Sequence, residues 1–208
     1  MGRRLSLLLS IAPVVALALA PGASAALHVA NQRALKRVSR AATSESASGS
    51  LIAPLAACPQ QENLGASAEA QQQAMRCMTD FARQRAGLAP LADSPQLDSS
   101  SQAKTADLLA CDSFSHEACG RAFSYWIHEA GYTSASCWHI GENLAWGTGT
   151  AGTVRSIFRA WMRSPDHRRN VLGEYTELGV DVGTGELEAQ AGARVWTAHF
   201  GSRCEAQA

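Results

Sequence analysis

The sequence predicts an α+β fold stabilised by disulfides, and three observations predict it. Apolar residues recur at helical spacing up to about residue 163. Strand-like alternation takes over from about Leu178. Six cysteines follow what reads as an export signal, and an even count in an exported chain suits three disulfides.

The export signal occupies residues 1–25. Arg3 and Arg4 form a charged start, Leu5 to Ala20 an apolar run, and Ala23-Ser24-Ala25 a small-residue cleavage motif, so cleavage is expected before Ala26. The run falls short of the ~20 apolar residues a membrane span needs. No later segment approaches that length, and the expected product is a secreted protein with no membrane span. Residues 26–57, rich in Ala and Ser with Arg33, Lys36, Arg37 and Arg40, read as a flexible segment ahead of a globular part at 58–208. Leu55-Ala56-Ala57-Cys58 superficially resembles a lipid-acylation site, but it lacks a charged start and a long apolar run of its own.

Charge narrows the partners. The chain carries 18 Lys and Arg against 18 Asp and Glu, and loss of Arg3 and Arg4 with the leader leaves a net charge of −2. No broad basic surface exists to drive nucleic-acid or anionic-membrane binding, so a partner must be recognised by a built site.

Each element has a local cause. Ser67 precedes a helical pattern through Ala70, Ala74, Met78, Phe81 and Ala82, with Gly87 as its stop. Ser94-Pro95 opens a second helix through Leu97 and Leu108, with Pro in its first turn. A third is expected from about Gly120 to Gly131, with Phe123, Ile127 and Ala130 on one side. The fourth runs from Thr153 to Met162, burying Val154, Ile157, Phe158 and Trp161, and stops at Ser164-Pro165. Strands are expected around Leu178–Gly183 and Arg194–Gly201, and Ile140 to Trp146 reads as extended. Helices early and strands late argue against a repeating βαβ order.

Cys58, Cys77, Cys111, Cys119, Cys137 and Cys204 allow fifteen pairings. Proximity favours Cys111–Cys119, leaving Cys58–Cys77 and Cys137–Cys204 as one completion of the set. A zinc site would want closer C-x2-C spacing.

Three segments gather polar side chains beside rigid punctuation: Phe114-Ser115-His116-Glu117, Gly141-Glu142-Asn143-Leu144-Ala145-Trp146-Gly147, and Ser164-Pro165-Asp166-His167-Arg168-Arg169-Asn170-Val171-Leu172. Singly, each has an ordinary explanation as a capped or hydrogen-bonded loop. In this order, and with Trp196-Thr197-Ala198-His199-Phe200-Gly201 closing the set, they resemble the bacterial CAP (SCP-like) domain. That superfamily includes cysteine-rich secretory proteins, insect antigen 5 and plant pathogenesis-related proteins. The resemblance spans about Ala70 to Cys204. It implies a three-layer α-β-α sandwich with a central antiparallel sheet and a His/Glu cavity. By motif, His116, Glu142 and His167 match cavity positions. The eukaryotic pattern adds a Glu three residues beyond the helix Trp, where this chain has Ser164 after Trp161.

Two imidazoles and a carboxylate suit Zn²⁺ or a similar divalent cation, so His116, Glu142 and His167 are the candidate metal ligands. His139, three residues before Glu142, is a candidate to line the same cavity. His128 and His199 read as structural. Trp126, Trp146, Trp161 and Trp196 read as core rather than as a sugar-stacking platform. No Ser is placed as a nucleophile, because Ser115 is only a chain neighbour of His116.

The expected function is therefore a secreted, non-enzymatic binding module whose cavity holds a divalent metal or small ligand. The resemblance adds lipid binding for some relatives, and envelope components as partners. The alternatives are a metal-dependent extracellular hydrolase acting on peptides or cell-wall material, and a purely structural or adhesive domain. For the leader, N-terminal sequencing of protein recovered from culture medium should begin at Ala26; a chain still carrying Met1 would overturn the assignment.

Overall fold

The computed structural model describes residues 50–204, so the expected signal peptide and the segment 26–49 lie outside the described residues. Ser67 caps α1 (Ala68–Arg85), its hydroxyl accepting from the Ala70 amide. A two-residue strand β1 (Ala92–Asp93) leads to Ser94, which caps α2 (Pro95–Ala110). Next come the short helix α3 (Tyr125–Glu129), β2 (Trp138–Gly147), α4 (Val154–Arg163) behind its Thr153 cap, α5 (Pro165–Val171), and the hairpin β3 (Glu177–Leu187) and β4 (Gln190–Arg203).

Two elements differ from expectation. The third helix shrinks to Tyr125–Glu129, because the Cys111–Cys119 disulfide and the left-handed residues Cys119 (φ 57°) and Gly120 (φ 70°) turn the chain before it. α5 was not expected. Ser164-Pro165 ends α4 but also starts a new helix, Pro having no amide to leave unpaired at a first turn.

The sheet has the order β1-β3-β4-β2. β3–β4 and β4–β2 pair antiparallel, and only the two-residue β1 pairs parallel, with β3, at one edge. Strand alternation sends Leu178, Val180 and Val182 of β3, with Trp196, Ala198 and Phe200 of β4, against α1, α4 and α5. Leu144 and Val195 join Leu108 of α2 on the other face, and Ile140 joins Leu97 and Ile127. The result is the three-layer α-β-α sandwich. Gly179 makes the α2 side possible: a Cβ there would run into the main chain at Leu97. All four tryptophans expected in the core are at least half-buried, Trp161 and Trp196 fully so.

The packed region begins before Cys58, where the sequence suggested a flexible segment. Ala53 is fully buried, Leu51 and Ile52 pack on the core, and Arg155 of α4 donates to the Ala53 carbonyl at 2.8 Å. The three disulfides are Cys58–Cys77, Cys111–Cys119 and Cys137–Cys204. The first removes Cys58 from any acylation reading. Among the described residues, no helix is long and apolar enough to cross a membrane.

Arg83 fastens α1 to the segment between α5 and β3. It is buried, yet its guanidinium donates to the carbonyls of Ala89, Val171, Gly173 and Tyr175 at 2.8–3.1 Å. Arg83→Ala should orphan all four acceptors and cost about 3 kcal/mol in urea unfolding. A loss below about 1 kcal/mol would show that these bonds are replaced by water.

Candidate functional site

The register of β2 on β4 sets Glu142 directly opposite His199. Their side chains meet on the α2 face, with His199 Nε2 2.9 Å from one Glu142 oxygen. The other oxygen lies 2.6 Å from His116 Nδ1. A carboxylate only accepts, so both imidazoles present an N–H to it. Burial alone would push the Glu142 carboxyl up. The hydrogen bonds from His116 and His199, with the charges of His199 and Lys104, outweigh burial and hold it below its ordinary value. Glu142 is thus a buried carboxylate with both oxygens taken.

Behind it, His199 Nδ1 lies 2.7 Å from the Ser100 hydroxyl of α2, which also reaches the Leu97 carbonyl at 2.9 Å. In front, His116 stands on the loop after α2 with 57% of its side chain exposed. In the neutral imidazole, with Nδ1–H given to Glu142, Nε2 is an acceptor. Lys104 holds this loop in place. Its ammonium, on an almost fully buried residue, donates to the His116 carbonyl at 2.7 Å. Burial lowers the Lys104 pKa, while the charges of Glu142, Asp107 and Glu117 oppose that shift.

His167 arrives from α5. Asn143 Nδ2 donates to the His167 carbonyl at 2.9 Å, and Asn170 Nδ2 reaches Glu142 O at 3.1 Å and Asn143 Oδ1 at 2.8 Å. Burial, then the neighbouring His116 charge, lower the His167 pKa against the opposing charge of Asp166, which favours the neutral imidazole. A cavity of about 220 Å³ is lined by His116, Phe123, Gly141 and Glu142, and His167 is not part of its wall.

The structure thus joins His116 to Glu142 and leaves His139 on the opposite face, while His167 lies outside the cavity wall, within reach of the His116 charge. Residues three apart on a strand face opposite sides. His139 accordingly stacks on Tyr175, ring centroids 4.8 Å apart, on the other face from Glu142. Glu142 is not a free third ligand alongside the two histidines. Among the described residues, no group of three His, Cys, Asp or Glu side chains is placed to hold a metal. Glu142 instead orients the imidazole of His116.

Sequence reasoning gave His199 a structural role. It is fully buried, and it is also the inner partner of Glu142. The signal lay in the polar residues of α2: Ser100, Ser101, Lys104 and Thr105 recur at helical spacing and are all buried. Two of them meet buried polar positions of β4, Thr105 bonding Thr197 at 2.9 Å and Ser100 bonding His199.

The family model described as "CAP: Cysteine-rich secretory protein family" matches residues 78–200, more than half the chain and all of the site. The chain belongs to this family. Its CAP domain is 31% identical over 126 residues to the uncharacterised protein YkwD of Bacillus subtilis (strain 168), covering 59% of this chain and 44% of YkwD. Two solved structures share the fold. An outer surface protein of Borrelia burgdorferi matches with a TM-score of 0.52 at 18% identity, covering 62% of this chain and 90% of that one. An extracellular protein containing an SCP domain, from Bacillus anthracis strain Ames, matches with a TM-score of 0.52 at 22% identity, covering 66% and 41%. The chain therefore spans less than half the length of YkwD and of the B. anthracis protein.

In this CAP domain Glu142→Gln should weaken the fold most at neutral pH, by about 3 kcal/mol, because a buried imidazole loses its charged partner. The wild-type advantage is present above the ordinary carboxyl value of 4.5 and is lost as pH falls through the lower folded value. Urea unfolding from pH 7 to pH 3 should bring the two proteins together. A gap that stays constant would mean Glu142 contributes no charge-dependent stability.

Proposed function

We propose that this chain is a secreted, non-enzymatic binding module whose site receives a divalent cation or small polar ligand at His116 Nε2 and His167. One observation carries this reading: both Glu142 oxygens are committed to imidazole N–H groups. A carboxylate held in this way orients a histidine and fixes its tautomer. His116 Nε2 is then an acceptor directed away from Glu142, beside a His167 whose neutral form is favoured. A bound cation would supply Lewis-acid charge at the mouth of the cavity. The extracellular and outer-surface descriptions of the two structural neighbours support export.

A serine hydrolase is the reading to weigh against it, since Ser100, His199 and Glu142 form a continuous hydrogen-bonded row. Ser100 is 1% and His199 0% exposed, so no substrate carbonyl reaches the hydroxyl. The row supports the carboxylate from behind.

Calorimetric titration of Zn²⁺ into the disulfide-intact protein tests the proposal. Wild type should bind one equivalent, with His116→Ala and His167→Ala each weakening it at least tenfold. Glu142→Gln should cost about 10–100-fold through lost orientation. His128→Ala, an exposed histidine bonded only to Thr133, should change nothing. Binding that survives in both alanine variants overturns the assignment. Hydrolysis of peptide or cell-wall substrates that disappears in Glu142→Gln would replace it with the hydrolase.

A further inference from the structure

α5 has two working faces. Asn170 and Val171 turn toward β2 and the core, while Pro165, Arg168 and Arg169, with Leu172 just beyond the helix, line a hollow at the surface. With Met162 and Arg163 at the end of α4, that second face encloses an open cavity of about 500 Å³, larger than the one at Glu142. None of its residues lines the His116 site.

Its chemistry is two-part. Met162 is 9% exposed, Leu172 packs on the main core, and with Pro165 they form an apolar floor. Three guanidinium groups surround it. Arg169 is paired with Asp166 at 3.0 Å. Among the described residues, Arg163 and Arg168 have no carboxylate within ion-pair distance. An apolar hollow of a few hundred Å³ with a few converging charged groups has the form of a ligand site. Its unbalanced positive charge selects the sign of the ligand. A guanidinium fork matches the oxygens of a carboxylate, sulfonate or phosphate.

We propose that this cavity binds a small organic anion, with an apolar body of one or two rings on Met162, Pro165 and Leu172 and its acidic head held by Arg163 and Arg168. The site is independent of the ligand proposed at His116. Its length of chain, the Ser164–Leu172 motif, is the part whose arginines the Glu142 site leaves unused.

Fluorescence titration with 8-anilinonaphthalene-1-sulfonate tests the proposal, with the uncharged N-phenyl-1-naphthylamine as its matched control. The wild-type protein should bind the sulfonate saturably, one per chain, and the neutral probe at least tenfold more weakly. The double variant Arg163→Gln/Arg168→Gln, both positions being exposed, should keep the wild-type melting temperature and lose at least tenfold in sulfonate affinity. Either 1-naphthoate or 1-naphthyl phosphate should displace the probe, the better competitor telling a carboxylate head from a phosphate. Amide shifts should gather at Met162–Leu172. The proposal falls if the double variant binds like wild type, if the neutral probe binds equally well, if neither anion competes, or if the shifts gather at Phe123 and Gly141.

Discussion

Glu142 sits where the sheet meets α2, and a lone carboxylate there would cost several kcal/mol of lost hydration. His199 from across the sheet and His116 from the loop beyond α2 offset that cost with one N–H each. Their commitment spreads outward. His199 needs Ser100 behind it, the His116 loop needs Lys104, and Lys104 is itself a buried cation compensated first by the charge of Glu142. Two costly buried charges thus lie on facing elements, and each makes the other tolerable. The polar inner face of α2 is the form this requirement takes in the chain.

Position at the site comes from backbone as much as from side chains. Tyr175 crowds the α-carbon of Gly141, so only a residue without a Cβ fits there without a shift, and Glu142 is held level with α5. Asn143 and Asn170 then tie the strand to the helix at main-chain atoms. The imidazole of His167 is in this way located by bonds that never touch it. Arg83 applies the same logic at the far end of α5, where one guanidinium gathers carbonyls from four separate residues.

Much of this could be read in the chain beforehand, for identifiable reasons. Ser67, Ser94 and Thr153 cap helices because cap chemistry is local, and the strand periods of β3 and β4 are visible in Leu178–Val182 and Val195–Phe200. What escaped was decided over distance or by parity. His139 was grouped with Glu142 on closeness in sequence, whereas a strand sends residues three apart to opposite faces. His199 could be paired with Glu142 only once the β2–β4 register was known. The expected third helix gave way to a disulfide-bound turn, and α5 was hidden because Ser164-Pro165 signals both an end and a beginning. The motif resemblance pointed to His116 and Glu142, but the commitment of both Glu142 oxygens depends on three-dimensional packing.

β2 is an outermost strand of the sheet, and such a strand normally leaves a row of bare peptide groups open to pairing with another chain. Here the outward carbonyl of Glu142 is taken by the Asn170 amide, and that of Leu144 by the Trp161 indole at 3.1 Å. Side chains of α4 and α5 therefore blunt a strand that would otherwise be a template for intermolecular sheet growth. Packing of the folded domain and protection against association thus draw on the same two groups, the Asn170 amide and the Trp161 indole.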